Sequence, residues 1–174
     1  MAVRRLVTGN GPDGKSRVDI DGPTPGHIDI LRAVFDELWI TDGSPPSVTG
    51  DKDPADVDVA VLQPPTGGIK WRCVTFRPYA EIEAMGGYSA EGIAAGGKFD
   101  DCGAMEPGAP GWHTTPTLDF GLVLSGEVEL ELDDGVHPLK TGDCVVQRGT
   151  RHAWRNRSSE PCVMTFILIS TEKG

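Results

Sequence analysis

The feature that most constrains this fold is a train of short strand-like segments in the second half of the chain. Apolar and β-branched runs alternate there with tight turns such as Ser125-Gly126 and Asp133-Asp134-Gly135. The predicted strands are 118–124, 127–132, 136–139, 144–147, 152–156 and 161–170. Short strands separated by frequent turns predict an all-β fold, either an antiparallel β-sandwich or a small β-barrel.

The first part of the chain has fewer strand patterns and longer connections. Its strand patterns occur at 4–8, 17–21, 37–41 and 70–77. We therefore divide the chain into an N-terminal arm, residues 1–68, and a barrel, residues 69–174. The arm is expected to be part of the same fold or of a dimer interface. Because unpaired sheet edges need covering, we also expect a homodimer.

Residues 84–111 form a long connection that contains eight glycines and little regular periodicity. A loop of this length inside a compact domain is usually functional or disordered. Glycine lowers the cost of sampling many backbone conformations. We expect this segment, with Met105 and the adjoining Trp112, to border the mouth of a pocket as a lid that is more mobile than the barrel.

The charge balance excludes two classes of partner. The chain has 26 acidic and 16 basic residues, which give a formal net charge of −10. Nucleic acids and anionic membranes both need a concentrated basic surface, so neither is an expected partner. The N-terminal residues lack the apolar core of a signal peptide, and the four cysteines form no CxxC pair. We therefore expect free thiols and a cytoplasmic location.

Three side chains of the metal-ligand type stand out, namely His113, Asp119 and His152. Two histidines and one carboxylate can occupy one face of an octahedral ion and leave positions open for substrate or oxygen. Each histidine taken alone is more often a satisfied polar group at a strand end. Asp119 is harder to dismiss, because it interrupts the apolar run 118–124 and a buried carboxylate needs a cation or hydrogen-bond donors.

The stretch from His113 to Asn156 resembles the two-motif core of the cupins. Their first motif has two histidines one residue apart, then a glutamate and a glycine, and here His113, Thr115, Asp119 and Gly126 stand at those positions. Their second motif begins with glycine and ends Gly-x-x-His-x-x-x-Asn. Gly142-Asp143 opens it here, and residues 149–156 fit its end, with His152 as the histidine. The resemblance implies a cupin barrel or jelly roll.

The departures from the family pattern leave the metal open. Thr115 replaces the second histidine, Asp119 replaces the glutamate, and Gln147 replaces a proline of the second motif. The resemblance then leaves three candidate ligands, His113, Asp119 and His152. They would hold a divalent transition metal such as Fe, Mn, Ni or Zn, and the alternative is that no metal binds.

The expected function is a small-molecule site inside the barrel. Our first hypothesis is an enzyme, a lyase, decarboxylase, isomerase or dioxygenase, in which His113, His152 and Asp119 are catalytic. Substrate contacts are assigned to Thr115, Gln147, Trp154 and Arg77, because Trp154 shares a strand face with His152 and the polar groups can orient a carboxylate or carbonyl. The alternative is a non-catalytic ligand-binding or sensor module without metal.

Overall fold

The computed structural model describes residues 1–30, 32–43, 45–50, 52–87 and 98–172. The described residues form the strands and the short helix that follow, in chain order: β1 (Arg4–Asn10), β2 (Ser16–Pro23), β3 (Gly26–Asp29), β4 (Ala33–Ile40), β5 (Ala60–Val61), β6 (Ile69–Phe76), α1 (Tyr79–Ala84), β7 (Phe99–Asp100), β8 (Thr117–Ser125), β9 (Glu127–Leu132), β10 (Gly135–Lys140), β11 (Cys144–Arg148), β12 (Ala153–Arg155) and β13 (Cys162–Ser170).

Two antiparallel sheets make up the barrel. The larger has six strands in the order β11-β8-β13-β6-β4-β3, and the smaller has three in the order β10-β9-β12. The strands β1 and β2 form a separate hairpin, and β5 pairs with β7 in parallel. The apolar core contains residues of both sheets, for example Val123 and Phe166 of the larger and Val128 of the smaller. This architecture confirms the predicted all-β barrel.

The alternation of β8 and β13 places their side chains on opposite faces of the larger sheet. In β8 the buried residues are Thr117, Asp119, Gly121 and Val123, and in β13 they are every second residue from Cys162 to Leu168. Successive side chains of a strand point to opposite faces, so these residues face the barrel interior. Asp119 therefore lies inside the barrel although most of its neighbours in the sequence are apolar.

Two strands of the predicted arm belong to the larger sheet. The strand β4 pairs with β3 on one side and with β6 on the other. It begins at Ala33, four residues before the predicted strand at 37–41. The sequence pattern did not predict this earlier start, because a charged residue such as Glu37 is normally expected on the exposed face of a strand. Here Glu37 is buried and forms an ion pair with Arg72 at 2.6 Å.

The connection 84–111 is described only in part, since residues 88–97 lie outside the described ranges. Its described residues include β7, and the helix α1 ends at its first residue. All four cysteines are free, as predicted; Cys73 and Cys162 are buried, and Cys102 and Cys144 are exposed. Within the described ranges, no helix has the length and apolar character of a membrane span.

Candidate functional site

A cavity of about 140 Å³ lies inside the barrel. A cavity of roughly 150 Å³ accepts one benzene molecule in an engineered protein, so this volume suits a ligand body of about one ring. Much of the wall is apolar and comes from both sheets. Its principal apolar side chains are Phe35, Val74, Phe76, Trp154, Phe166 and Leu168.

Two predicted site residues, His113 and His152, meet at this wall. They form an isolated antiparallel bridge in which each backbone N–H donates to the carbonyl oxygen of the other residue, at 2.9 and 3.0 Å. Directly opposed residues of an antiparallel pair place their side chains on the same face. The two imidazole rings accordingly lie with centroids 4.1 Å apart and planes inclined at 52°.

The hydrogen bonds of the two imidazoles determine their tautomers. The Nδ1 of His113 lies 2.9 Å from the carbonyl oxygen of Gly111, and the Nδ1 of His152 lies 2.9 Å from that of Thr150. A carbonyl oxygen only accepts, so each Nδ1 carries the proton. Each neutral ring then keeps its lone pair on Nε2, where it can accept a proton or bind a metal.

Both imidazoles are neutral at physiological pH. Burial and, secondly, the neighbouring His113 together lower the pKa of His152 to about 4, against the opposing effect of the hydrogen bond to Thr150. Burial also lowers the pKa of His113, and the positive charges of Arg32 and Arg155 act in the same direction, while the hydrogen bond to Gly111 opposes them. Because a charge on one ring resists a charge on the other, the pair takes up protons as a coupled unit.

Asp119 lines the same cavity and is 6% exposed. Its Oδ1 is buried and has no hydrogen-bond partner among the described residues. Burial raises the pKa of this carboxyl to about 6, against the opposing effects of a hydrogen bond with Thr117 and of the Arg72 charge. A buried oxygen without a partner is costly, so Oδ1 is a natural acceptor for a ligand hydroxyl or N–H.

The predicted substrate contacts divide between the cavity and its surroundings. Thr115 and Trp154 line the cavity; the Thr115 hydroxyl lies 2.8 Å from that of Thr117, and the Trp154 ring meets the His152 ring edge-on at 5.9 Å. Gln147 is buried outside the described cavity wall and donates to Thr150. Gln147 pairs in register with Asp119 and so lies on the same face of the larger sheet, but it does not line the described cavity, and its amide supports the loop that carries His152.

Arg77 also lines the cavity, and its guanidinium is held in place by several partners. It pairs with both carboxylate oxygens of Asp29, at 2.8 and 2.9 Å, and with Glu81 at 3.1 Å. It also donates to the carbonyl oxygen of Ile30 at 2.5 Å. These contacts tie α1 to the loop between β3 and β4, so Arg77 has a clear structural role beside the one predicted for it.

The donor set does not fit a preformed three-ligand metal site. Among the described residues, no group of three or more His, Cys, Asp and Glu side chains is arranged to hold an ion. The two histidines provide adjacent Nε2 donors, but Asp119 does not complete a cluster with them. Asp119 is one methylene shorter than the glutamate of the cupin motif, so its carboxylate reaches about 1.5 Å less far.

Sequence patterns missed three arginines of the wall, Arg32, Arg72 and Arg155. Arg32 lies at the bend between β3 and β4, where no strand periodicity applies. Arg155 neighbours Trp154 on a strand of three residues, too short for alternation to predict that both line the cavity. Proximity to the second motif was the one sequence signal that could have drawn attention to Arg155.

Comparison with known proteins agrees with the fold. The family model described as a cupin domain matches residues 103–168. Phomopsin biosynthesis cluster protein C′ of Diaporthe leptostromiformis is 32% identical over 161 residues, which cover 88% of this chain and 70% of the relative. Oryzines biosynthesis cluster protein J of Aspergillus oryzae is 58% identical over 50 residues, which cover 28% of each chain.

The cupin-domain-containing oxidoreductase srdB of Neurospora crassa is 39% identical over 74 residues, or 39% of this chain and 38% of the relative. A solved cupin 2 conserved barrel domain protein from Salinispora arenicola shares 16% identity at a TM-score of 0.43, over 80% of this chain and 76% of its own. The chain thus spans less than half of two of these curated relatives. The match along most of the phomopsin-cluster relative, together with the barrel and the cupin-domain match, shows that this chain belongs to the cupin superfamily.

Proposed function

We propose that this cupin is an enzyme that moves a proton on a small organic molecule held in the barrel cavity, as an isomerase or a lyase does. The observation that carries the proposal is the pair His113 and His152, whose Nδ1 atoms donate to backbone carbonyls two residues earlier. Two neutral imidazoles with available Nε2 lone pairs, side by side on an apolar cavity wall, suit general base catalysis.

The two histidines differ in their suitability as the base. His152, with a pKa lowered to about 4, holds a proton weakly, in part because of the charge that His113 carries when protonated, whereas His152 is not among the groups that lower the pKa of His113. We assign His113 as the group that takes the substrate proton and His152 as its neutral neighbour. Asp119, with a pKa raised to about 6, then accepts a hydrogen bond from the substrate or, when protonated, donates one.

The comparisons support an enzyme of small-molecule metabolism without naming a reaction. Two relatives are named as products of biosynthesis clusters, and one as an oxidoreductase. The oxidoreductase name favours a second candidate, the metal-dependent dioxygenase. It would need Fe, Mn, Ni or Zn at the histidine pair, and a third ligand that the present arrangement of Asp119 does not supply.

Solvent deuterium exchange tests the proton-transfer proposal. A panel of small ketones and keto acids is incubated with the protein in D₂O, and exchange next to the carbonyl is followed by NMR. We expect catalysed exchange that falls at least about 100-fold in His113→Asn. His137→Asn, which changes an exposed histidine on β10, is the matched control.

Three outcomes separate the alternatives. Ligand binding without exchange would favour the sensor module. A stoichiometric metal found by elemental analysis, and lost in both His113→Asn and His152→Asn, would favour the dioxygenase. Catalysed exchange that persists unchanged in His113→Asn would remove this residue from the reaction.

We further propose that the protein is a homodimer, with a cytoplasmic location as an accompanying prediction. The strand β4 is paired on both sides, so it does not supply the unpaired edge on which the sequence prediction relied. The outer face of the larger sheet supports a dimer instead. Four exposed apolar side chains form a row across adjacent strands through the pairs Val146–Phe120, Phe120–Ile167 and Ile167–Trp71.

A row of this kind is unusual for a surface in contact with water. Contiguous exposed apolar patches on soluble proteins mark interaction sites. The outer face of the smaller sheet, by contrast, carries ion pairs such as Glu129–Arg157 at 2.8 Å and Glu131–Arg157 at 3.0 Å. A second copy of the chain suits the apolar row. Each chain has a net charge of −10, and two copies that meet through this row bury apolar surface without bringing acidic side chains of the row together.

A further inference from the structure

The charge of the cavity wall is opposite to that of the chain. Acidic residues outnumber basic ones by 26 to 16 in the sequence, yet the described wall has four arginines and a single carboxylate, Asp119. The arginines are Arg32, Arg72, Arg77 and Arg155. Such a local excess of one sign concentrates ligands of the other sign.

Two of these arginines, Arg72 and Arg155, pair with carboxylates that lie outside the described wall. Glu37 holds Arg72 through two hydrogen bonds, at 2.6 and 3.2 Å, and Glu131 holds Arg155 at 3.1 Å. Neither carboxylate lines the described cavity. The guanidinium groups of Arg72 and Arg155 are therefore oriented by carboxylates that lie outside the described wall.

Arg155 is the arginine best placed beside the histidine pair. Its Nε contacts Glu131, and its Nη2 donates to the carbonyl oxygen of Pro110 at 2.6 Å. Its Nη1 lies 2.3 Å from the position that a Cβ on Gly111 would occupy, so a side chain at Gly111 would displace the guanidinium. Gly111, with φ +82°, is also the residue whose carbonyl orients His113.

The same glycine thus brings a cation and the proposed base together at the cavity wall. The charges of both Arg155 and Arg32 act on His113. In the same cavity wall, the apolar side chains of Trp154 and Phe166 meet edge-on at 5.6 Å and offer a surface for a ring or a short carbon chain.

We propose, on the basis of the proposed function, that the substrate is a small organic acid whose carboxylate is bound by Arg155 and Arg32 while its apolar body contacts Trp154 and Phe166. A guanidinium suits a carboxylate because its donors match the two oxygens in one plane. The carboxylate then lies next to His113, so the proton transferred is one on a carbon or oxygen close to it. The unpartnered Oδ1 of Asp119 accepts a hydrogen bond from a donor at the other end of the substrate.

Benzoate and benzamide provide the test, because they have nearly the same shape and differ in charge. Binding of each is measured by calorimetry, and NMR of the histidine side chains reports whether the ligand reaches His113 and His152. We expect benzoate to bind wild-type protein at least about tenfold more tightly than benzamide. This preference should disappear in Arg155→Met and be retained in Arg157→Met.

Arg157 is a matched control because it also pairs with Glu131 but is exposed and outside the described cavity wall. If the Arg155→Met variant melts at a much lower temperature than wild type, the Arg155→Lys variant is used in its place. Because lysine keeps the positive charge, this variant should keep part of the preference for benzoate over benzamide. If both probes bind wild-type protein equally tightly and shift the NMR signals of both histidines, the preference for an acid is overturned, whereas the proposed small-molecule site is retained. Failure of both probes to bind would overturn the preference and the proposed site together. A preference unchanged in Arg155→Met would overturn the assignment to this arginine.

Discussion

The two faces of β8 carry opposite chemistry. Toward the interior the strand presents Thr117 and Asp119, followed by the small Gly121 and Val123, and toward the outside it presents only leucine and phenylalanine from residue 118 to residue 124. A sheet with one face in water shows the reverse distribution, polar outside and apolar inside. The inversion supports the two proposals made above, a ligand site for the interior polar groups and a dimer interface for the exterior apolar groups.

The largest effect is expected on the exterior face. Phe120 lies at the centre of the apolar row, paired in register with Val146 and Ile167. Phe120→Lys should weaken the proposed dimer by about 3 kcal/mol, roughly 100-fold in its dissociation constant, because it places a charge at the centre of the contact. Analytical ultracentrifugation over a micromolar concentration series measures this shift.

Val136→Lys is the control for that experiment, since Val136 is also an exposed apolar residue but lies on β10 of the smaller sheet. It should leave the assembly unchanged. A wild-type protein that is monomeric at micromolar concentration would contradict the interpretation of the exterior face. Equal dissociation by both lysine variants would show that the effect is not specific to that face.

The next effect concerns Asp119 on the interior face. Its pKa is raised by burial to about 6, so the fold stabilises the protonated form. This stabilisation is present below the carboxyl's ordinary pKa of about 4 and is lost as the pH rises through about 6. The side chain at position 119 does not ionise in the Asp119→Asn variant. The free energy of unfolding of this variant, relative to that of wild type, should therefore be greater at pH 8 than at pH 4 by roughly 2–3 kcal/mol.

Urea unfolding of wild type and variant at the two pH values measures this difference. His152 acts in the opposite direction, since its lowered pKa of about 4 gives stability that is present above about pH 6.5 and lost as the pH falls toward 4. Both proteins retain His152, so its contribution cancels in the comparison. The exposed Asp134→Asn serves as the control. An Asp119→Asn effect that is the same at both pH values would contradict the raised pKa.

The smallest effect concerns the packing of the interior face at Gly121. A Cβ added there would lie 2.9 Å from the Phe166 ring and 3.4 Å from the Met164 methyl group. Gly121→Ala should therefore lower the free energy of unfolding by about 1–2 kcal/mol through overpacking. Gly22→Ala, where nothing lies within 4 Å, is the control for thermal melting. A neutral Gly121→Ala would show that the interior has spare room beside the cavity.

The predicted strands of the second half of the chain agree with the structure, whereas the predicted pattern of the first third does not extend to β3 or to the start of β4. The difference has a physical cause. Strands such as β9 show their alternation locally, because the apolar Val128 and Leu130 mark the buried positions between glutamates. In β4 the buried positions include Asp36 and Glu37, whose partners His27 and Arg72 come from other strands. Ion pairs between strands leave no periodic signal in a single segment.

The candidate site divides in a similar way. The sequence indicated His113, Asp119 and His152 through their spacing and placed Thr115 and Trp154 as neighbours, and all five line the cavity. It did not predict that Gln147 would lie outside the described cavity wall or that Arg32, Arg72 and Arg155 would join that wall. Those placements depend on how β12 and the loop between β3 and β4 pack against the barrel.

The sequence by itself determined the all-β architecture and most strands after residue 117, because strand patterns and turn chemistry are local properties of the chain. The tertiary structure alone decided that the rings of His113 and His152 lie 4.1 Å apart, that Gly111 admits Arg155 beside them, and that Asp119 does not join them as a ligand cluster. These relations join residues from distant parts of the chain, and their distances are set by strand register and packing across the barrel, which no local pattern encodes.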